Sequence, residues 1–384
     1  MTALEILFWL SLALIVWTQL GYAVALAVLA RFRRAPSRQG SGSELPRLTL
    51  IVAAHDEELV IGAKVVNALA LDYPRELIEV IVACDGCSDG TAQRAREAGA
   101  DLVLELPRGG KIRAQDAAVQ RAAGDVLAFS DANSLWEPSA ARELVGAFGD
   151  PQVGYACGQV RFIQGASGRE GSNQEGVYWR YEMAIRGWES RLSSITAGNG
   201  AIYATRKDSY LVVDPIMGHD LSLPFNMVKR GLRAVYVPGA RAIEKMVPSL
   251  GGEFARKRRM MSHTWPILLR GGMLSPRGYP PGYAVMILSH RLLRYASPGL
   301  HLLALASNVA ILALGAGPAQ WLYALTLTAQ LGLLLAAMLA GPLRLRPLLL
   351  ARYYVLTTAS PAAGLWDWLR HGTEASWEAA EGTR

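Results

Sequence analysis

The sequence is short of charge and of cysteine. Only 18% of its 384 residues are Asp, Glu, Lys or Arg, against roughly 25% in an ordinary soluble domain, whereas 51% are hydrophobic. Three cysteines are too few for a disulfide-stapled miniprotein. The glycines show no triplet repeat and apolar residues abound, which excludes a collagen-like chain and a disordered one. The composition therefore predicts a globular domain combined with membrane-spanning helices.

The charge balance is basic, with 39 Lys and Arg against 32 Asp and Glu. In a membrane protein, this excess indicates basic cytoplasmic flanks that face anionic lipid headgroups of the bilayer. No recognisable nucleic-acid-binding motif occurs, so we expect no nucleic acid among the partners.

Stretches without charge indicate where the chain meets lipid. Ile6 to Ala30 is long and apolar enough to span a bilayer, and Arg31, Arg33 and Arg34 follow at once. Because Glu5 precedes this run, we expect an uncleaved anchor whose C-terminal flank is cytoplasmic, rather than a signal peptide.

Near the other end, Pro298 to Gly317 and Ala319 to Ala340 contain no charged residue, and Leu345 to Leu369 is a weaker third candidate span. These segments predict a multi-pass protein of the cell (inner) membrane with a cytoplasmic globular domain. Four membrane spans would line only a narrow channel, so transport across the membrane would favour a homo-oligomer. The predicted division is an N-terminal anchor and basic linker (1–43), a globular domain (44–275), an interfacial segment (276–297), and C-terminal membrane helices with a tail (298–384).

Within the globular segment, short runs of Val, Ile and Leu alternate with stretches of helical period, which predicts an α/β fold with a mostly parallel sheet. A polar cluster follows each of three predicted strands. Any single cluster is explained equally well as a helix cap or a turn. Their recurrence at strand ends, where such sheets bind ligands, favours a metal with a phosphate ligand, or hydrogen bonds to ribose and base. The clusters are Asp56 with Glu57, Asp85, and Asp131 with Asn133.

Four motifs occur in a characteristic order and spacing: Ile51 to Glu58, Cys84 to Thr91, Gly110-Lys111, and Gly124 to Asn133. Together they resemble the nucleotide-sugar half of family 2 glycosyltransferases. The flanking spans resemble the membrane-embedded branch that contains cellulose, hyaluronan and poly-N-acetylglucosamine synthases. This resemblance covers about Leu48 to Trp265 and implies a GT-A fold with a Rossmann-like sheet. It further implies inverting transfer of a sugar from a nucleotide sugar, with a lean to UDP, onto a saccharide or lipid-linked acceptor for envelope or extracellular polysaccharide or glycolipid synthesis.

The resemblance also implies roles for residues of the donor half. Asp56 and Glu57 would lie at the edge that binds the base, Asp85 would contact the nucleoside, and Lys111 would lie near the diphosphate. Asp131 and Asn133 would hold Mn²⁺ or Mg²⁺, since their donors are oxygen atoms. Asn133 replaces the usual second aspartate, and its uncharged amide should lower metal affinity.

In the acceptor half, the family position of Asp220 implies the catalytic base that takes the proton of the acceptor hydroxyl. Locally, an N-cap aspartate explains it nearly as well. The loop of Gly198, Asn199 and Gly200 resembles the loop that shapes the acceptor site, although a simple turn explains it equally.

Arg259 matches the arginine of the Gln-x-x-Arg-Trp motif of processive members, where it would bind the departing diphosphate. Arg256 and Met260 match neither the glutamine nor the tryptophan, which puts processive synthesis in doubt. Together with Asn133, this altered segment motivates an alternative, a catalytically impaired nucleotide-binding scaffold of the same fold. Cys84 and Cys87 form a CxxC pair, but the lack of a second pair argues against a zinc or redox role.

Overall fold

The computed structural model describes residues 2–33, 44–163, 172–245, 250–315, 317–343 and 345–375. The helices are α1 (Thr2–Val16), α2 (Tyr22–Arg31), α3 (Glu58–Leu69), α4 (Thr91–Glu97), α5 (Lys111–Arg121), α6 (Ala140–Gly146), α7 (Ser172–Leu192), α8 (His219–Lys229), α9 (Leu250–Leu269), α10 (Pro281–Met286), α11 (Leu293–Leu314), α12 (Gln320–Leu343) and α13 (Arg346–His371). The strands are β1 (Leu48–Ala54), β2 (Ile78–Asp85), β3 (Leu102–Leu106), β4 (Val126–Asp131), β5 (Leu135–Trp136), β6 (Val153–Ile163), β7 (Tyr203–Arg206) and β8 (Arg233–Lys245).

The eight strands form one sheet in the order β3-β2-β1-β4-β7-β6-β8-β5. The half built from β1 to β4 is parallel, whereas β7 runs antiparallel to both β4 and β6. All seven residues of β1 are buried, because helices cover both faces of the sheet at this point. The α/β prediction is confirmed, with a mixed rather than mostly parallel second half.

Alternate residues of β1 pack into two different layers. Leu50 and Val52 join the core that includes Ile61 of α3, whereas Ile51 joins the core that includes Ala118 of α5. This two-sided packing explains why the strand reads as a continuous apolar run rather than an alternating one. It also leaves the carboxyl ends of the strands as the open edge of the domain.

Among the described residues, three helices are long and apolar enough to cross a membrane: Thr2–Arg31, Pro281–Leu314 and Gly317–Leu343. The first two contain a π-helical turn, at Trp17–Gly21 and Ile287–Leu292, and these turns lie together, with Trp17 Nε1 donating to Ser289 Oγ at 3.0 Å. Because α10 and α11 are continuous, the segment predicted to be interfacial (276–297) belongs largely to the second of these helices, which is long and apolar enough to cross a membrane.

The weaker third C-terminal candidate is also helical, but α13 is not one of the three helices apolar enough to cross a membrane. Its sequence includes the charged residues Arg352 and Asp367. It packs against α9 of the globular segment instead. Trp265 Nε1 donates to the carbonyl of Pro361 at 2.8 Å, and Arg258 pairs with Asp367 at 2.5 Å. The chain beyond α13 continues along the domain, where the carbonyl oxygen of Ala375 would be 2.1 Å from a Cβ on Gly110.

Buried ion pairs join the globular domain to these helices. We call this group the membrane-side cluster: Glu182, Glu189, His290, Arg291 and Arg294. Glu182 pairs with Arg294, and Glu189 Oε1 lies 2.7 Å from His290 Nδ1. Tyr22 of α2 donates its hydroxyl to Glu189 at 2.7 Å, so the first helix, the domain and the second span meet at one carboxylate.

Candidate active site

Parallel pairing brings the three polar clusters of the sequence to one edge. Ala54 is in register with Cys84, and Ala53 with Asp131, so β1, β2 and β4 end side by side. Asp85 is the last residue of β2, and Asp56 lies just beyond the end of β1. Strand order alone therefore places the donor-half residues together.

Asp85 is buried and organises the loop before α5. Its carboxylate accepts hydrogen bonds from the backbone N–H groups of Gly109 (2.6 Å) and Gly110 (3.0 Å), and Arg108 Nη1 lies 3.3 Å away. Gly110 has φ +96°, a conformation that favours glycine. The carboxylate thus fixes the turn from which Lys111 begins α5.

Asp56 is the one described non-glycine residue with a positive φ, +49°, a region in which aspartate is several-fold enriched. Its carboxylate accepts the backbone N–H of Ser88 at 2.7 Å, which ties the loop after β1 to the loop after β2. Glu57 is buried beside it, and its own backbone N–H donates to Thr91 Oγ1 at 2.8 Å. These two residues line the outer edge of the strand ends.

Lys111 and Asp131 form an ion pair at the centre of the site. Burial alone would lower the pKa of Lys111, but nearby negative charge outweighs it and raises that pKa. The carboxylates responsible are those of Asp131, Asp220 and Glu244. We call these four residues the open cluster, since each side chain is half-buried and carboxylates outnumber the lysine.

Glu244, at the end of β8, has no counterpart among the residues predicted from sequence. Burial raises the pKa of its carboxyl to about 7, and the charge of Asp131 adds to the rise. Lys111 and Arg256 oppose it. Even with both of these cations counted, three carboxylates remain against two positive charges. Among these groups, the carboxylate of Asp131 and the amide oxygen of half-buried Asn133 are oxygen donors of the kind that a hard divalent cation prefers.

The wall behind the open cluster contains a buried lysine. Lys64 Nζ donates to the carbonyl oxygen of Ser134 at 2.6 Å and lies 5.1 Å from the ring centroid of Trp136. Burial lowers the pKa of Lys64 to about 7 against the opposing charges of Asp131 and Glu244. This contact anchors the turn that carries Asn133.

Asp220 lies in the first turn of α8, and its backbone carbonyl accepts the N–H of Gly198 at 2.7 Å. A Cβ at position 198 would be 2.0 Å from the hydroxyl of Tyr155, so glycine is required there. A Cβ on Gly200 would be 3.3 Å from Lys111 Nζ. The loop predicted to bind the acceptor therefore joins Asp220 to Lys111.

Asn199 turns into the fold. Its side chain donates to the carbonyl of Gly158 at 2.7 Å and accepts the N–H of Ile202 at 2.9 Å. These contacts give its amide a bracing part in the loop, and its predicted contact with acceptor stays a prediction.

His219 does not face solvent. It is buried, with Nδ1 2.9 Å from the hydroxyl of Tyr203 and Nε2 3.3 Å from that of Tyr210. Burial lowers its pKa to about 3, and the charge of Lys111 contributes. A neutral imidazole therefore holds the start of α8.

The basic residues of α9 face different surroundings. Arg259 is exposed, and its charge acts on His263. Arg256, which matches no motif position, lies near enough to oppose the raised pKa of Glu244. Lys257 Nζ donates to the hydroxyl of Tyr353 at 2.8 Å. The predicted diphosphate contact of Arg259 stays a prediction, and Arg256 joins the site from structure alone.

Comparison with a solved structure identifies the fold. The chain superposes on the mannosyltransferase PcManGT from Pyrobaculum calidifontis, solved in complex with GDP-mannose and Mn²⁺, with a TM-score of 0.71 at 22% identity. The match covers 95% of this chain and 99% of that one. The predicted GT-A fold is confirmed.

Comparison with known families and curated relatives shows which family the chain belongs to. Residues 46–262 match the family described as glycosyltransferase like family 2, and the chain belongs to that family. The probable glycosyltransferase YdaM of Bacillus subtilis (strain 168) is 30% identical over 175 residues, 42% of this chain and 41% of the relative. The poly-beta-1,6-N-acetyl-D-glucosamine synthase of Staphylococcus aureus (strain COL) is 25% identical over 236 residues, 59% and 57% of the two chains. The chain thus spans about half the length of the curated relatives it matches.

Proposed function

We propose that this protein is a membrane-bound, inverting glycosyltransferase that moves a sugar from a UDP-linked donor to a saccharide or lipid-linked acceptor. The observation that carries the proposal is the open cluster: Lys111, Asp131, Asp220 and Glu244 share one electrostatic environment at the strand ends. Family membership and the relative named as a polysaccharide synthase support the reaction class.

The chain's own residues supply most of the chemistry. Lys111, at the start of α5, offers a cation and the positive end of a helix to the diphosphate. Arg259 adds a second cation for the charge that develops on the leaving nucleotide. Asp56 and Glu57 line the base edge, and Asp85 holds the loop between that edge and the diphosphate. When bound by Asp131 and Asn133, Mn²⁺ or Mg²⁺ would supply further positive charge to the diphosphate.

Asp220 is the proposed base. As the acceptor oxygen attacks the anomeric carbon, its hydroxyl proton passes to the carboxylate, and the bond from that carbon to the diphosphate oxygen breaks on the opposite face. Attack opposite the leaving group inverts the configuration. The loop of Gly198 to Gly200 lies against both Asp220 and Lys111, which would seat the acceptor between base and donor.

We infer a multi-pass arrangement with the domain in the cytoplasm. Arg31 and Arg33 at the end of the first candidate span favour a cytoplasmic flank. With three spans, the chain returns to that side before α13, which is consistent with the contact between Ala375 and Gly110.

The test is a donor screen on the full-length protein in nanodiscs, with uridine and guanosine diphosphate sugars and with Mn²⁺, Mg²⁺ or chelator. We expect a uridine donor to raise the unfolding temperature in a concentration-dependent way, because it binds only the folded form, and to be turned over only with metal. Stabilisation without turnover under every metal condition would favour the scaffold, which Asn133 motivates.

A further inference from the structure

A second group of metal-ligand atoms lies outside the open cluster, at the loops after β1 and β2. Ligand atoms of His55, Asp56 and Cys87 all lie within 4.8 Å of one another, and each residue is half-buried. With Zn–N, Zn–O and Zn–S bonds of about 2.0 to 2.3 Å, a tetrahedral ion needs ligands spaced about 3.5 Å apart. Side-chain movements of about an ångström therefore suffice.

The imidazole of His55 is already oriented as a ligand. Its Nδ1 lies 2.8 Å from the carbonyl oxygen of Asp85. A carbonyl oxygen can only accept, so Nδ1 carries a hydrogen and Nε2 is the ring nitrogen that would bind a metal ion. Nε2 lies 3.6 Å from Asp56 Oδ2. Two electron-rich atoms at this spacing need a proton or a cation between them, and a backbone carbonyl behind the other nitrogen is the usual support of a metal-bound histidine.

The thiol decides which metal would bind. The thiol of Cys87 donates to the carbonyl oxygen of Ala54 at 3.5 Å, which places it beside the end of β1. Thiolate and imidazole ligands favour zinc, whereas the oxygen donors of Asp131 and Asn133 favour magnesium and manganese. The missing second cysteine pair, which argued against zinc in the sequence, is replaced here by ligands from a different loop.

We propose that His55, Asp56 and Cys87 form a zinc site at the outer edge of the strand ends, with water as the fourth ligand, and that occupation of this site excludes the donor nucleotide. The second half rests on the proposed function, since it takes Asp56 as part of the base edge. Zinc bound there would join the loop after β1 to the loop after β2. It would also occupy the Asp56 carboxylate, which the base of the donor nucleotide would otherwise contact.

The first experiment needs no turnover. Co²⁺ alone is titrated into the reduced full-length protein in detergent, and absorbance is read for the sulfur-to-cobalt charge-transfer band that only a thiolate ligand gives. We expect this band in the wild type, its loss in Cys87→Ser, its retention in Cys84→Ala, and its displacement by Zn²⁺. His55→Gln should weaken Co²⁺ binding at least about tenfold. Co²⁺ at the oxygen donors of Asp131 and Asn133 cannot produce the band.

Absence of the band in the wild type, or its persistence in Cys87→Ser, would overturn the site and leave His55 and Asp56 as a simple ion pair. Retained unfolding temperatures of the variants verify that they are folded. The second experiment adds UDP with Mg²⁺ to the Co²⁺-loaded protein. Loss of the band supports exclusion of the nucleotide. Coexistence of the band and bound UDP overturns the exclusion, whereas failure of UDP with Mg²⁺ to bind the Co²⁺-free protein contradicts the proposed function.

Discussion

The membrane-side cluster and the open cluster both combine carboxylates with basic side chains, but in opposite balance. In the membrane-side cluster, each carboxylate has a close cation: burial would raise the pKa of Glu182, but Arg294 beside it holds that pKa well below its usual range. In the open cluster, carboxylates exceed cations and the pKa of Glu244 rises to about 7. A closed network joins two parts of the fold, whereas an unbalanced one at strand ends is suited to a charged ligand.

The largest effect is expected from Asp220→Asn, which keeps shape and removes the proton acceptor of the open cluster. The turnover number should fall about 10² to 10⁴-fold, because no other group is proposed to take the proton. Transfer is measured as nucleotide release in nanodiscs.

The matched control for this change is Asp214→Asn, an exposed aspartate on the approach to α8. It should retain activity, and donor binding to both variants should be unchanged in a thermal-shift titration. Wild-type turnover in Asp220→Asn would remove Asp220 from the mechanism.

On the other side of the comparison, Glu189→Ala should cost stability instead of chemistry. It removes the carboxylate at Nδ1 of buried His290, which keeps Glu182 at Nε2, and it removes the acceptor of Tyr22. Breaking a buried pair of this kind costs about 3 to 5 kcal/mol. The measurement is the unfolding temperature in detergent, with Glu189→Gln as the milder variant that retains hydrogen bonding. An unchanged unfolding temperature in Glu189→Ala would show that the membrane-side cluster does not hold the domain.

The third prediction concerns His219, the residue before Asp220, and the dependence of folding stability on pH. The pKa of His219 is lowered from 6.5 to about 3, so the unfolded state binds its proton more readily. Its contribution to stability is fully present above pH 6.5 and is lost as pH falls toward 3, at up to about 1.4 kcal/mol per pH unit.

Unfolding temperatures of the wild type and His219→Gln, compared from neutral to acidic pH, measure this contribution. The variant should be less stable at neutral pH and should lose less stability on acidification. Parallel curves would mean that His219 is not held neutral by the fold.

The smallest effect distinguishes two arginines of α9. Arg259→Gln and Arg256→Gln should each raise the donor KM about tenfold, since a hydrogen bond to a charged group contributes about 1.5 kcal/mol or more. Arg258→Gln is the control, because its guanidinium is paired with Asp367. An unchanged KM in Arg259→Gln alone would assign the diphosphate contact to Arg256.

The convergence of Asp56, Asp85 and Asp131, the residues predicted to bind the donor, was predictable because it depends only on local sequence pattern and the pairing of neighbouring strands. Each strand is a single apolar run, and its acidic residue follows directly, so parallel pairing of β1, β2 and β4 suffices to bring Asp56, Asp85 and Asp131 to one edge. The same pattern predicts the α/β class, whereas the GT-A fold was implied by the resemblance of the four motifs to family 2 glycosyltransferases.

Glu244 could not be found in this way. It reaches the site because Ile243 pairs with Leu135, a contact between strands far apart in sequence and beyond any motif. The orientation of His55 toward Cys87 likewise depends on how two loops meet. The helical continuity of Pro281 to Leu314 across polar His290 and Arg291 also depends on tertiary structure, since both side chains are buried in the membrane-side cluster.

The most direct test of the central claim, that the open cluster binds the donor for sugar transfer, is metal-dependent nucleotide release by Asp131→Ala beside Asp125→Ala. The two aspartates lie at opposite ends of β4, one in the open cluster and one at its start. We predict that release requires Mn²⁺ or Mg²⁺ in the wild type, persists in Asp125→Ala and falls to background in Asp131→Ala. Release by Asp131→Ala at the wild-type rate would contradict the account.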